Sequence, residues 1–296
     1  MYGNTMHPAW FEKHISAPRD DHFVSVQGCN IHYQSWAAPN VERSLVLIHG
    51  HGAHTHWWDF IAPAFIENYR VVAIDLSGAG DSGHRPQYST ALFCDEIASV
   101  INDADLISPL LLGHSFGGSL ARTFCFLHPG LVSGLILADS AISVNHRTRA
   151  LPVAPRGNIR YYRDLSEGVR RFRLRPPQPC ENAFLVDYIA RHSLMESAAG
   201  FCFKLDQALF AKMVENPENI PDSATMLRAL TCPIAMIYGD RSRFFGPEAV
   251  ALVRQIFLEN NILKIEQAHH HTFLDKPQDF ITALDQLLTR WSTSAV

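Results

Sequence analysis

The chain has 296 residues, 47% of them apolar and 18% charged, which suits one large domain or one domain carrying an insertion, with a sizeable buried core. A formal charge of −4 gives no reason to expect nucleic acid or an anionic membrane as partner. Six scattered cysteines without a C-x-x-C pair argue against a zinc ribbon or a disulfide framework; the first residues do not read as a signal peptide and no apolar run reaches membrane-helix length, so a cytoplasmic protein is expected.

In chain order, Phe23–Val26 and Ile31–Trp36 flank a turn at Gly28–Asn30 and read as an opening hairpin. Apolar runs follow at Leu45–His49, Val71–Ile74, Leu110–Leu112 and Leu135–Ala138, then much later at Ile234–Tyr238 and Leu263–Glu266. Helical spacing marks Ala91–Asp103 and Ser119–Leu127; Pro247–Phe257 and Pro277–Trp291 each begin with proline, which suits a first helical turn. Strands apolar on both faces and separated by helices predict an α/β fold: a mostly parallel eight-stranded sheet flanked by helices. The rhythm breaks between Ala141 and Leu230, where RRFRLRPPQP (Arg170–Pro179) and the amphipathic ENAFLVDYIARHSL (Glu181–Leu194) offer helices and an extended proline-rich piece but no clear sheet strand. Residues 1–140 and 231–296 therefore read as the core domain and 141–230 as an inserted, mainly helical cap. The plainer alternative is a pair of crossover helices with a long loop, a length uncommon inside compact domains.

The segment LLLGHSFGG places Gly113-His114-Ser115-Phe116-Gly117 directly after a strand and before a helix. This is G-x-S-x-G in the context its chemistry needs: a serine on a sharp turn above the sheet, with glycines letting strand and helix pass closely. A serine hydroxyl is a poor nucleophile unaided and needs a base within hydrogen-bond reach.

With these residues in view, the chain from Phe23 to Trp291 resembles the α/β-hydrolase family, and within it the capped serine hydrolases of esterase type. The matching stretches are HGHG after the third strand, IDLSGAGDSG (Ile74–Gly83) after the fourth, GHSFGG after the fifth and AHHHTFLDKP (Ala268–Pro277) after the last. RRFRLRPPQP and GFCFKLD (Gly200–Asp206) resemble cap segments of that group. The resemblance implies Ser115 as nucleophile and a histidine of the last loop as base. Counting back from Asp275 and Pro277 gives His270, with His269 and His271 adjacent. The acid commonly stands in G-x-x-D after the Ile234–Tyr238 strand, but Gly239-Asp240-Arg241-Ser242 has serine there. The family's second location, after the sixth strand, holds Asp139. Asp139 is preferred, with Asp240 as the alternative.

HGHGAHTH (His49–His56) admits two readings. It is similar to the H-x-H-x-D-H pattern of zinc hydrolases, with Ala53 in place of the aspartate; it also fits a glycine-bearing loop whose amides face the nucleophile. The metal reading leaves GHSFGG unexplained, so the second is taken: the N–H groups of His51 and Phe116 form an oxyanion hole, and neither metal nor cofactor is expected. Trp57, Trp58, His114, Phe201 and Phe203 are candidate pocket residues. The expected activity is hydrolysis of carboxylic esters or lactones, on a small-molecule substrate, by a monomer or homodimer. A carbon–carbon bond hydrolase with the same triad, and a ligand-binding sensor that keeps a hydrolase pocket, are the alternatives. The arginines at 170, 171, 173 and 175 belong to surface solvation or to recognition of an acidic substrate.

Overall fold

The computed structural model describes residues 7–143, 159–214 and 220–293. After a short helix α1 (Ala9–Ile15), the strands β1 (Asp20–Val26), β2 (Cys29–Trp36), β3 (Ser44–Ile48) and β4 (Arg70–Ile74) lead to helix α2 (Thr90–Asp103). Then come β5 (Leu110–His114), α3 (Phe116–Leu127) and β6 (Gly134–Ala138). Between β6 and the next sheet strand lie α4 (Leu165–Arg171), α5 (Ala183–His192), β7 (Leu194–Ser197), β8 (Gly200–Phe203) and α6 (Ser223–Ala229). The chain ends with β9 (Ile234–Gly239), α7 (Pro247–Ile256), β10 (Ile262–Ile265), α8 (Thr272–Asp275) and α9 (Pro277–Thr293).

Eight strands form one sheet in the order β1-β2-β4-β3-β5-β6-β9-β10. The first two pairings, β1 with β2 and β2 with β4, are antiparallel, and every later one is parallel. The side-chain period of two splits each central strand between two cores. Leu45, Leu47, Leu110, Leu112 and Ile136 pack on one face with α9, while Val46, Ile48, Leu111, Leu135 and Leu137 pack on the other with α2 and α3. Burying each such side chain contributes about 1.5–3 kcal/mol, which is why both faces are covered and the central strands are mostly apolar. The parallel strands all point one way, and the loops at their C-terminal ends gather the candidate site on one edge.

Three elements differ from the sequence reading. Helix α3 begins at Phe116, three residues before the expected Ser119, because the turn at Ser115 itself starts the helix. Helix α1 had no expected counterpart; its Phe11 is buried against Phe60, Phe184 and Tyr188. The stretch between β6 and β9, expected to hold no clear strand, contains the antiparallel hairpin β7–β8, which is separate from the main sheet. With four residues per strand and half-exposed side chains, that hairpin offers too short a period-two signal to be seen. The expected cap also spans residues 144–158 and 215–219, which lie outside the described residues.

Candidate active site

Ser115 follows β5 with φ 52° and ψ −115°, a region an L-residue with a side chain adopts at a cost of about 1–3 kcal/mol. The turn is held by its own bonds: the Ser115 N–H donates to the Ala138 carbonyl at 3.0 Å, and the Ser140 hydroxyl donates to the Ser115 carbonyl at 2.8 Å. The glycine at 117 is required by close approach, since a Cβ there would run into the carbonyls of Ile48 and His49. Helix and strand loop thus meet tightly enough to project the serine oxygen over the sheet edge.

His270 lies in the loop between β10 and α8. Its Nε2 is 2.9 Å from Ser115 Oγ, and its Nδ1 is 2.7 Å from Asp139 Oδ1. A ring nitrogen facing a carboxylate carries the proton, so Nε2 presents its lone pair to the serine hydroxyl. Neighbours fix the loop: Asp275 accepts the His269 N–H at 2.7 Å, Gln178 accepts the His271 N–H at 2.9 Å, and His114 Nε2 lies 3.1 Å from the His270 carbonyl. His269 turns to Asp275, with Nδ1 at 3.1 Å, and His271 is buried beside Trp57. Burial, reinforced by the adjacent His270, holds His114 down to about 3, and burial also depresses His271.

Asp139, directly after β6, is fully buried with φ 45°. Besides His270, it accepts the Ser242 hydroxyl at 2.7 Å and the Gly239 N–H at 3.0 Å. Burial pushes its carboxyl up to about 7 against the pull of those two donors. Asp240 is exposed at the end of β9. Ser242, the residue that stands where G-x-x-D would have its carboxylate, is the group missed in the sequence. The G-x-x-S spacing was its signal, because the hydroxyl occupies the place of the absent acid and turns to Asp139.

The four histidines of HGHGAHTH point in different directions. His49 Nε2 accepts the Leu76 N–H at 3.1 Å, which leaves Nδ1–H for the Gly50 carbonyl at 2.7 Å and ties the loops after β3 and β4 together. His51 packs against Phe210 with ring centroids 4.1 Å apart and planes tilted by 40°. His54 Nε2 reaches Ser193 Oγ at 2.8 Å, and His56 Nδ1 reaches Asp59 at 2.7 Å. Among the described residues, the side-chain groups close enough to share a metal are His114, His270 and His271, and His32, Asp75 and Asp81; neither includes any of these four. Gly50 lies against Ser115: a Cβ at Gly50 would be 3.2 Å from Ser115 Cβ. The N–H groups of His51 and Phe116 are not given to any backbone carbonyl of a turn or loop among the described residues.

Of the candidate pocket residues, Trp57 and Trp58 are packed on Phe273 within the apolar core, and His114 is buried beneath His270 and His271. Phe201 bridges to Tyr162 in the hairpin. Phe203 lines a cavity between the loop after β3 and the segment after α4. Two aromatic rings beside the site were not foreseen. Phe244 stands 4.6 Å from His270, and Phe210 lies 5.6 Å from Phe116 as well as against His51. Phe244 sits in a turn beside Phe245 and Phe210 in a single turn of 3-10 helix, segments too short for a periodicity to mark.

A model of the alpha/beta hydrolase family matches residues 45–283. Among curated relatives, a pimeloyl-[acyl-carrier protein] methyl ester esterase of Aeromonas hydrophila is 26% identical over 82% of this chain and 94% of the relative. A monoacylglycerol lipase of Mycolicibacterium smegmatis is 24% identical over 95% and 99%. Among solved structures, E-2-(acetamidomethylene)succinate hydrolase superposes with a TM-score of 0.76 at 16% identity, covering 92% of this chain and all of that one (100%). Among the described residues no helix is long and apolar enough to cross a membrane.

Proposed function

The chain belongs to the α/β-hydrolase family, and from that premise we propose that it is a serine hydrolase cleaving carboxylic esters or lactones through an acyl-enzyme. The observation that carries this reading is the relay Ser115 Oγ to His270 Nε2 at 2.9 Å and His270 Nδ1 to Asp139 at 2.7 Å, built on a strained serine. The names of the relatives, an esterase and a lipase, favour ester bonds within the family's range.

Ser115 Oγ attacks the carbonyl carbon as its proton passes to His270 Nε2, and Asp139 stabilises the resulting imidazolium. The tetrahedral oxyanion accepts the N–H groups of His51 and Phe116, each such donor contributing about 3–4 kcal/mol in the transition state. His270 returns the proton to the departing alcohol, leaving the acyl group on Ser115. Water, deprotonated by the same nitrogen, then attacks the acyl carbon and releases the acid. Phe116, Phe210 and Phe244 supply apolar walls around the reacting atoms, and the described part of the insertion between β6 and β9 forms a cap over a small or medium-sized substrate. Hydrolysis of short p-nitrophenyl esters by the parent protein and by Ser115→Ala, with and without a chelator, tests the reading. A loss of at least about 10⁴-fold in Ser115→Ala, with the parent indifferent to chelator, is expected. Activity that survives the substitution and vanishes with chelator overturns it.

A further inference from the structure

Beyond the oxyanion loop, a cavity of about 120 Å³ lies between Gly52–His54 and the segment that follows α4. That volume equals the liquid share of roughly four water molecules, which is room for a small polar group on a short stem. Its wall carries Arg171, Arg173, Arg175 and Lys204.

The placement of the arginines follows from the backbone. Helix α4 ends at Arg171, and Phe172 is already extended, with φ −60° and ψ 140°. From there side chains alternate in direction. Leu174 is buried and Phe172 half-buried in the core, while Arg171, Arg173 and Arg175 are all exposed on the opposite side. The alternation that seals the core therefore aligns three guanidinium groups along one edge of the cavity.

Their charge is not matched. Among the described residues, no carboxylate lies within salt-bridge reach of any of the three. Arg173 donates to the carbonyls of Arg170 and Phe172, and Arg175 donates to Gln207 Oε1 at 3.3 Å. No carboxylate among the described residues lines the cavity, and the acids paired to neighbouring lysines are already committed: Asp81 to Lys204 at 2.6 Å, and Asp206 to Lys212 at 2.6 Å. The Arg175 stem packs against Gly52, whose added Cβ would meet Arg175 Cδ at 3.8 Å. Arg175 also stands close enough to help burial hold His51 down to about 4. The uncompensated cations thus begin one residue past the proposed oxyanion donor.

We propose that this cavity is the subsite for an anionic group of the substrate, a carboxylate or phosphate carried at the end of the ester away from the scissile bond. The proposal rests on the ester-hydrolase reading for its place in catalysis, though not for binding. Planar guanidinium forks match the two oxygens of a carboxylate or phosphate, and an anion seated there relieves the crowding of like charge along the edge.

Two measurements test it. The first compares kcat/KM for monomethyl glutarate with that for methyl butyrate in the parent and in Arg173→Ala and Arg175→Ala. The ratio of the two esters on one protein cancels any loss of folded fraction. The parent is expected to prefer the anionic ester, and each substitution to lower that ratio by about ten-fold, the size of a lost hydrogen bond to a charged group. A neutral preference in the parent, or a ratio unchanged by both substitutions, overturns the proposal.

The second measures binding without turnover: the melting temperature of the parent with glutarate, inorganic phosphate or chloride at equal ionic strength. Stabilisation by glutarate or phosphate above chloride, lost in Arg173→Ala and Arg175→Ala, is expected, and the tighter of the two names the group. No stabilisation by either anion overturns the subsite. If no ester is hydrolysed, the ester-hydrolase reading fails by itself and this binding result still decides the cavity.

Discussion

Three buried carboxylates, Asp59, Asp75 and Asp139, each hold an imidazole at 2.7 Å through Nδ1, and the last two contrast in what faces the far side of the ring. Asp75, just after β4, pairs with His32, whose other nitrogen faces Asp21 at 3.0 Å. With an acceptor carboxylate on both sides, both ring nitrogens must donate, and His32 is held as a cation; its affinity for a proton is raised in spite of burial. Asp139 pairs with His270, whose other nitrogen faces a serine hydroxyl. One side of that ring is left able to take a proton and give it back. The two aspartates differ accordingly. Burial opposes ionisation of both, but His32, with His49 and His54 nearby, takes Asp75 well below the usual carboxylate range, whereas Asp139 is pushed up to about 7. What the second nitrogen faces decides whether a buried Asp–His pair is a clamp or a relay.

The largest expected effect breaks the relay. Asp139→Asn removes the carboxylate that orients His270 and supports its charge, and a fall in kcat of about 10⁴-fold is expected on p-nitrophenyl esters. Stability is expected to move the other way. A carboxyl whose folded pKa lies above its unfolded value of 3.8 costs stability as pH rises from about 4 through 7, so removing its charge relieves that cost. The melting temperature of Asp139→Asn at pH 8 should be no lower than the parent's. A large drop there would mean that Asp139 is a clamp after all.

Asp75→Asn is expected to do the reverse. It leaves the His32 cation buried without its partner, a loss of about 3–5 kcal/mol, with kcat per folded molecule close to the parent's. The pH dependence follows from the two shifts. Asp75, lowered, contributes above about pH 4 and loses that contribution as pH falls through its folded pKa; His32, raised, contributes below about pH 6.5 and loses it as pH rises through its own. Denaturant titrations of parent and Asp75→Asn should therefore differ most between about pH 4 and 6.5, and converge on either side. A constant difference across that range would remove the ion pair as the cause.

This contrast also marks what was legible in the sequence. The sheet was, because its central strands are covered on both faces and so are mostly apolar, and the sharp turn at Ser115 was, because such a turn needs glycine at fixed spacing. The hairpin β7–β8 was not, since its short strands owe their pairing to each other and to Tyr162 rather than to a core. Among site residues, HHH at 269–271 narrows the base to three, and only the loop geometry sends one ring to Ser115 and another to Asp275. Asp75 stands in the glycine-bearing stretch Ile74–Gly83, whose tight turn it organises: Gly80 wraps over its carboxylate where any Cβ would collide with it. Its partner His32 went unremarked, because the histidine sits forty-three residues earlier on a strand and such pairs carry no local pattern.

A smaller effect sharpens the comparison at the relay's far side. The Ser242 hydroxyl donates to the same Asp139 oxygen that faces His270. Ser242→Ala removes a hydrogen bond to a charged group, worth about 1.5–3 kcal/mol when fully expressed, and so is expected to lower kcat by roughly ten-fold or more. The acidic limb of the rate–pH profile should move with it, because one of the donors that oppose the burial shift is gone. A reduced kcat with an unmoved profile would place Ser242 in loop packing alone.

The smallest expected effect is the most direct test of the rule. Asp21 is more than half exposed (57%) while its partner His32 is buried (3%), so the Asp21 contact by itself is worth only about 0–1 kcal/mol. Asp21→Asn keeps an oxygen to accept from both His32 and Gln34, which reaches Asp21 at 2.9 Å, and so preserves the geometry while removing one negative charge. His32 then has a carboxylate on one side and a neutral acceptor on the other, close to the arrangement around His270. Its titration, followed by NMR of the ring protons, should fall from above 6.5 toward or below that value, with little change in kcat or melting temperature. A His32 that keeps its raised value without Asp21 would show that Asp75 alone fixes the charge. In that case the hydroxyl facing His270, and not the missing second carboxylate, would be what leaves the relay free to work.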